Sequence, residues 1–266
     1  MKTPVIDFHS HLGRWARLGM DFKLEEYVAI MDKAGIDISC VNCINFSDAR
    51  RGNDLVARAI TEYPDRFIGV AYVTPLYPAE TIPELERCFN QLGFKFIKLY
   101  PDYLGKPIDD QSYSGIFEWA NDRNIVIMSH SSYVPSHGTA DGSNTGSSEN
   151  NFTMPNRFIP LAEKYTDINW VLAHSGNARP GQKMSVEAAQ KCPNIFLETC
   201  TSLAEHDTIE LLVNEAGEDR ILYGSDMPLM EPLYQIGRII TADISDSAKI
   251  KILGTNASKL LKIPAF

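Results

Sequence analysis

Two histidines separated by one residue follow the first apolar run of the chain. Residues 5–8 have the composition of a buried strand, and His9 and His11 come directly after them. Side chains at positions i and i+2 of a strand share a face, so both imidazoles can converge on one point at the end of the strand. A divalent metal is the commonest reason for such a pair, but zinc takes about four ligands. The pair therefore indicates a metal site only if other segments bring further ligands to the same place.

Three later strand-like runs also end in side chains that can bind a metal. His130 follows the predicted fifth strand, His174 the sixth and Asp226 the eighth. Taken singly, each histidine fits a hydrogen-bonded core residue, and an aspartate before Met-Pro fits a turn. Taken together, four of the six histidines and one aspartate lie at the ends of four strands. This combination predicts a metal-dependent site.

Eight short runs rich in Val, Ile and Phe alternate with segments of helical periodicity. Strands without polar alternation are buried on both faces, which is typical of a parallel sheet. Eight such units in 266 residues predict a single-domain (β/α)8 TIM barrel over residues 1–266, with an open doubly wound sheet as the alternative. In a barrel the carboxyl ends of the strands ring one mouth, where active sites of this fold lie. The predicted strands are residues 5–9, 38–44, 67–73, 94–99, 125–128, 168–173, 195–197 and 220–224.

Helices are predicted between these runs, and one segment has no apolar period at all. Residues 131–154, after the fifth strand, are rich in Ser, Gly and Asn. A loop of this length is usually functional or disordered, and its place at the mouth favours a lid, with a plain surface insertion as the alternative. The predicted helices are residues 24–34, 54–63, 81–92, 114–123, 155–165, 185–191, 209–215, 233–241, 247–253 and 257–261.

Charge and apolar patterning argue against several classes of protein. The net charge is −9 and no basic run occurs, which argues against nucleic acid and anionic membranes as partners. No apolar run approaches the roughly 20 residues of a membrane span, and residues 1–4 lack the apolar core of a signal peptide, so we expect a cytoplasmic protein. The five cysteines are expected to be buried reduced thiols, since Cys40 and Cys43 would face opposite sides of a strand.

Other strands are followed by candidates for binding the substrate. Lys98 ends the predicted fourth strand and has three options if it points into the barrel. It could be a carbamylated metal bridge, bind a substrate carboxylate, or pair with an acidic residue such as Glu198, and we favour the pairing. Candidates for holding a small carboxylate-bearing substrate, all shortly after strands, are Arg14, Trp15, Tyr100 and Arg179.

These motifs, taken as a set, resemble the amidohydrolase superfamily. The resemblance is strongest to the branch called amidohydrolase 2, which includes the aminocarboxymuconate-semialdehyde decarboxylase-like proteins. It extends over nearly the whole chain and is specific as a set, although each motif is weak alone. The matching segments are His-Ser-His at 9–11, Phe-Lys-Phe-Ile-Lys-Leu at 94–99, His130, Leu-Ala-His-Ser-Gly at 172–176, Gly-Ser-Asp-Met-Pro at 224–228 and Ile-Leu-Gly-Thr-Asn-Ala at 252–257.

The resemblance implies a metal-containing barrel and assigns roles by matching positions. His174 corresponds to a catalytic or second-metal residue. In two-metal relatives a lysine of the fourth strand is carbamylated, and Lys98 matches that position. The ligands of a single metal would be His9, His11, His130 and Asp226.

Three imidazoles and a carboxylate suit Zn²⁺, with Mn²⁺ or Fe²⁺ as alternatives, at one ion per chain. Such a site predicts hydrolysis of an amide, lactone or ester by a metal-activated water. Asp226 would accept the proton of that water, and His174 would stabilise the oxyanion or protonate the leaving group. The chain is shorter than many decarboxylases of this branch, which favours hydrolysis.

Two other functions are carried as alternatives to hydrolysis. The same metal site could perform non-oxidative decarboxylation of a hydroxy-aryl or muconate-like acid. The chain could instead be a non-catalytic barrel that binds a metal or a ligand. In each case the expected partner is a small molecule, and a homodimer is the oligomeric state kept open.

Overall fold

The computed structural model describes residues 3–15, 18–44, 48–133, 151–201, 203 and 205–263. Eight parallel strands form one sheet in which each strand pairs with the next along the chain. Helices connect successive strands, so the fold is the predicted single-domain (β/α)8 TIM barrel. The strands are β1 (Ile6–His11), β2 (Ile38–Asn42), β3 (Phe67–Tyr72), β4 (Phe96–Leu99), β5 (Val126–Ser132), β6 (Trp170–Gly176), β7 (Ile195–Glu198) and β8 (Ile221–Leu222).

The segment around β8 joins the two ends of the sheet. Phe8 N donates to the carbonyl of Tyr223 at 2.9 Å, and Asp226 N donates to the carbonyl of His9 at 2.7 Å. These bonds place the last strand beside the first, as a barrel requires and an open sheet does not. The doubly wound alternative is therefore wrong.

The helices follow the predicted order; the first has the predicted bounds, and the others are shifted by a few residues at one or both ends. The second helix begins at Ala49 instead of residue 54, because the carboxylate of Asp48 accepts the N–H of Arg51 at 3.0 Å and caps its start. A short helix that the sequence analysis missed follows β4. The helices are α1 (Leu24–Ala34), α2 (Ala49–Glu62), α3 (Pro78–Asn90), α4 (Pro101–Leu104), α5 (Ser114–Asn121), α6 (Phe158–Lys164), α7 (Arg179–Lys191), α8 (Thr208–Ala216), α9 (Pro232–Thr241), α10 (Asp246–Ile250) and α11 (Asn256–Leu261).

Apolar side chains form two layers, one inside the barrel and one between the barrel and the helices. Inside, Phe8 stacks on Phe96 with ring centroids 4.6 Å apart, and this layer closes the barrel below its mouth. Cys40 belongs to the inner layer and Cys43 to the outer one, so the two thiols do face opposite sides. All five cysteines are buried and free. Within the described ranges, no helix is long and apolar enough to cross a bilayer.

The long loop after β5 is described only at its ends. Ser132 N donates to the carbonyl of Thr153 at 3.2 Å, and Ile108 N donates to the carbonyl of Phe152 at 2.9 Å. These bonds join the end of β5 and the segment before α5 to the last residues of the loop. The predicted lid concerns mainly residues 134–150, which lie outside the described residues.

Candidate metal centre

A β-bulge in β1 aims its histidines at the mouth of the barrel. The register with β2 runs from Asp7 opposite Ser39 to Ser10 opposite Val41, so two residues of β1 face one residue of β2. An inserted residue shifts the alternation of side chains from that point onward. Phe8 therefore still packs inside the barrel, while His9 and His11 both face the mouth.

The two histidines of β1 meet the aspartate that follows β8. His11 Nε2 lies 2.7 Å from Asp226 Oδ1, and His9 Nε2 lies 3.5 Å from the same oxygen. One ligand atom from each of the three lies within 4.8 Å of the others, and all three residues are buried. Burial alone would raise the pKa of Asp226, but the two imidazoles lower it to about 2. The carboxylate is thus ionised and placed where it can share a cation with both rings.

A buried carboxylate supports this group from below. Asp7 Oδ1 accepts the N–H of His9 at 3.1 Å and the N–H of Ser225 at 2.9 Å. It thereby joins the bulge of β1 to the turn that carries Asp226, whose φ is 58°. A left-handed backbone at a non-glycine residue stores strain, and such strain collects at functional sites. Burial raises the pKa of Asp7 to about 7.

The histidines of β5 and β6 lie beside this group. The His174 ring centroid is 5.0 Å from that of His9 and 4.6 Å from that of His130. His130 is the more open of the two, since its side chain is 24% exposed. Its Nε2 lies 3.6 Å from Oδ2 of Asp102, which also accepts the hydroxyl of Thr153 at 2.6 Å. The structure thus brings the five predicted side chains to one mouth, and their individual roles stay predictions.

Burial keeps three of the imidazoles unprotonated at neutral pH. It is the largest cause of the lowered pKa of His9 and of His174. Burial and then the charge of Lys98 lower the pKa of His130 to about 4. The neutral ring is the form that binds a metal, so these three residues are ready to bind without losing a proton.

Lys98 and Glu198 lie on opposite sides of the His9 ring. Lys98 is fully buried and its Nζ lies 3.0 Å from His9 Nε2, while His9 Nδ1 lies 2.9 Å from Glu198 Oε2. The His9 ring lies between the two groups and their charges act on each other across it, so the predicted pairing of lysine and glutamate stays a prediction. Burial lowers the pKa of Lys98 and raises that of Glu198, and the opposite charge of each partner counteracts both shifts.

The four predicted substrate-binding residues fall into two pairs. Tyr100 lies in the site, with its hydroxyl 3.1 Å from His11 Nδ1, and the Trp15 ring meets the His11 ring edge-on at 5.5 Å. Arg14 is instead 73% exposed and lies 3.9 Å from a carboxylate oxygen of Asp21. Arg179 likewise pairs with the carboxylates of acidic residues after β7. The first pair faces the mouth, whereas the second pair is engaged by surface carboxylates.

Sequence reasoning missed several residues of the mouth. Asn42 is the last residue of β2, and a polar residue ending an apolar strand was the signal available for it. Glu198, the last residue of β7, was named as a partner of Lys98, but its contact with His9 was not predicted. Asp102 and Tyr103 lie on α4, which was not predicted. Cys200 joins a second group whose ligand atoms also lie within 4.8 Å of one another. That group comprises His9, His174, Glu198 and Cys200.

Comparison with known proteins decides the family. A model of the Amidohydrolase family, Amidohydro_2, matches residues 6–263. The chain belongs to this family of enzymes. The resemblance drawn from its motifs is thereby confirmed.

Two curated relatives and one solved structure illustrate the range of the family. The 2-amino-3-carboxymuconate-6-semialdehyde decarboxylase of Dictyostelium discoideum is 25% identical, over 79% of this chain and 65% of that protein. The 2-keto-4-carboxy-3-hexenedioate hydratase of a Sphingobium species is 27% identical, over 67% of this chain and 58% of that protein. This chain therefore spans less than two thirds of either relative.

The solved structure is a 5-carboxyvanillate decarboxylase of Novosphingobium aromaticivorans, complexed with manganese and 4-hydroxy-3-methoxy-5-nitrobenzoic acid. It aligns with a TM-score of 0.79 over 98% of this chain and 96% of that chain, at 20% identity. At that identity the likeness shows the shared barrel fold.

Proposed function

We propose that this amidohydrolase-family chain is a metal-dependent, non-oxidative decarboxylase of a small hydroxy-aryl or muconate-like acid. The observation that carries the proposal is the convergence of His9, His11 and Asp226 at the barrel mouth, with His130 and His174 beside them. Hydrolysis was preferred from the sequence, but the decarboxylases among the relatives favour the alternative. The coarser conclusion, a metal-dependent enzyme, is common to both reactions.

The donor set fits one divalent cation. Buried nitrogen and oxygen atoms of His9, His11 and Asp226 lie within 4.8 Å of one another. His130 is not in that group and lies beside His174, from where we propose that it offers a fourth donor. Imidazole and carboxylate ligands suit Zn²⁺ and Mn²⁺ alike, and the manganese in the structural neighbour favours Mn²⁺. When bound, the ion supplies Lewis-acid stabilisation of the carboxylate and hydroxyl oxygens of the substrate.

Asp226 is the group that moves the proton in this proposal. Its lowered pKa keeps it ionised, and the ionised carboxylate would accept the proton of a substrate hydroxyl that the cation makes more acidic and pass it to the ring carbon that bears the carboxylate. The bond from this carbon to the carboxylate then breaks, and its electron pair restores the aromatic ring as carbon dioxide leaves. Solvent returns a proton to the phenolate oxygen, which completes the exchange of a carboxylate for a hydrogen.

Aromatic side chains give the mouth walls that suit a planar acid. Tyr103 stacks on Tyr100 with ring centroids 5.6 Å apart and planes inclined by 14°, and it is 54% exposed. The Trp15 ring stands beside His11. Offset stacking on an aromatic face stabilises a planar ring by about 0.5–1.5 kcal/mol beyond the area that it buries. A flat conjugated acid would thus lie with one face against Tyr103.

Release of carbon dioxide decides between the two reactions. The Mn²⁺-loaded protein is incubated with a panel of hydroxybenzoates and unsaturated dicarboxylates, and in parallel with esters, amides and lactones. We expect carbon dioxide from at least one planar hydroxy-aryl acid and no turnover in the second panel. Hydrolysis of esters or lactones without carbon dioxide release would overturn the proposal. Retained metal with no turnover in either panel would indicate the non-catalytic barrel.

A further inference from the structure

Glu198 receives three N–H groups from three different strand ends. Its Oε2 lies 2.9 Å from His9 Nδ1 and accepts the backbone N–H of His174 at 3.0 Å, and its Oε1 accepts the backbone N–H of Cys200. The side chain is completely buried at the end of β7. A buried carboxylate with three donors aimed at it is held in one position, and it holds its donors in turn.

The two neighbours of His9 determine which ring nitrogen carries the proton. A lysine ammonium can only donate, so Nε2, which lies 3.0 Å from Lys98 Nζ, must present its lone pair. Nδ1 then carries the hydrogen and donates it to Glu198 Oε2 at 2.9 Å. This tautomer leaves Nε2, the nitrogen that lies 3.5 Å from Asp226, as the one able to bind a cation. Histidine ligands of metals usually donate their other N–H to a carboxylate in this way.

Gly224 leaves the space in which Glu198 contacts His9. A Cβ atom on Gly224 would lie 2.3 Å from Glu198 Oε1 and 2.7 Å from the Cβ of His9. Real Cβ atoms do not approach other atoms that closely, so position 224 has to be glycine for the carboxylate and the imidazole to meet. The same carboxylate also anchors His174, whose φ of 65° departs from strand geometry.

We propose that Glu198 is a positioning residue of the metal centre, which fixes the tautomer and orientation of His9 and the backbone of His174. It does so by accepting their N–H groups and binds neither metal nor substrate itself. This inference rests on the proposed function only in taking His9 as a metal ligand. The buried group that includes Cys200 offers the competing role, in which Glu198 would be a ligand of a second ion.

The variant Glu198→Gln separates the two roles. One amide oxygen cannot accept all three N–H groups, and the amide NH₂ would drive His9 to carry its proton on Nε2, where Lys98 also donates. We expect metal affinity, measured by competition with a chromophoric chelator, to fall about 10–100-fold at an unchanged stoichiometry. Affinity equal to that of the parent protein would overturn the inference, and so would a stoichiometry that drops from two ions to one.

The matched control is Glu84→Gln in α3. Glu84 is also buried and hydrogen-bonded, to Asn53 and Arg87, so its substitution reports the general cost of altering a buried carboxylate. Melting temperatures of both variants show how much stability each one loses. We expect the control to keep the metal affinity of the parent protein, and an equal loss of affinity in both variants would contradict a specific role for Glu198.

If Glu198→Gln does not fold, the role of Glu198 can be tested on the metal-free parent protein instead. Nitrogen-15 NMR of the labelled histidines reports the tautomer of each ring. We expect His9 to carry its proton on Nδ1, and a His9 protonated on Nε2 would overturn the inference. Neither this spectrum nor the metal affinity depends on turnover, so a failed decarboxylase assay would leave both results intact.

Discussion

The two halves of the barrel mouth differ in how firmly their side chains are held. In the closed half, the side chains of His9, His11 and Asp226 are at most 9% exposed, and the His11–Asp226 contact is 2.7 Å. In the open half, the side chain of His130 is 24% exposed and stands 3.6 Å from Asp102. The closed half has backbone bonds between β1 and the turn after β8, whereas the open half borders the long loop after β5.

This difference indicates that the closed half is suited to binding the metal and the open half to binding the substrate. A cation needs ligands fixed before it arrives, and in the closed half Asp7 and Glu198 fix His9 from beneath by accepting its hydrogen bonds. A substrate needs access and an adaptable wall, and the open half supplies Tyr103 and His130 at its edge. We therefore expect substitutions in the closed half to lower the metal affinity and the reaction rate. Substitutions in the open half should act more on substrate binding.

The largest effect is expected from removing the charge of the closed-half carboxylate. Asp226→Asn takes away both a ligand and the proton carrier, so carbon dioxide release should fall by about 10³-fold or more. The matched substitution in the open half, Asp102→Asn, should lower the rate less than about tenfold, because it removes no ligand and no proton carrier. Equal rate losses in the two variants would show that the halves do not differ.

The next prediction compares the loss of metal affinity when one histidine is removed from each half. His11→Ala should weaken metal binding by more than about 100-fold, which exceeds the usual cost of losing a second-layer partner. His130→Ala should cost about 10–100-fold, since water can reach its more exposed position and replace the nitrogen. Metal titration of both purified variants gives the answer. Full metal affinity in His130→Ala would remove His130 from the predicted ligands.

Removing the buried lysine tests whether its charge weakens metal binding in the closed half. Lys98 places a positive charge 3.0 Å from the His9 nitrogen that would bind a cation, so Lys98→Met should raise metal affinity several-fold. The methionine side chain fills a similar volume without the charge. A marked loss of metal from this variant would instead support the carbamylated bridge, in which the lysine contributes a ligand.

The smallest effect is expected at the aromatic wall of the open half. Tyr103→Ala removes the exposed stacking face and should raise KM about fivefold for a planar acid, with metal affinity unchanged. Tyr77→Ala is the control, because Tyr77 is comparably exposed and lies before α3. An unchanged KM in the Tyr103 variant would place the substrate elsewhere in the mouth.

The fold and most of the candidate site could be predicted because they depend on local pattern. Apolar runs gave the eight strands, and parallel strands necessarily bring their carboxyl ends to one rim, where His130, His174 and Asp226 were expected. The features that escaped prediction depend on contacts between distant segments. The bulge of β1 arises from its register with β2, and Glu198 meets His9 across 189 positions of the chain. Neither contact leaves a periodic trace in the sequence.

The type of reaction, hydrolysis or decarboxylation, also could not be predicted from the residues alone. A neutral His174 and an ionised Asp226 can assist the attack of water or the protonation of carbon equally well. The choice of decarboxylation in the proposal therefore rests on the relatives and not on these two residues. The aromatic wall formed by Tyr100 and Tyr103 agrees with it, because a planar acid presents a face to stack.

Metal stoichiometry tests the central claim most directly. Protein purified without chelator, saturated with Mn²⁺ and freed of excess ion, is subjected to elemental analysis beside the His11→Ala variant. The closed half as described predicts one tightly held ion per chain in the parent protein and a fraction of that in the variant. Two ions per chain, or an equal content in parent and variant, would contradict a single centre built on His9, His11 and Asp226.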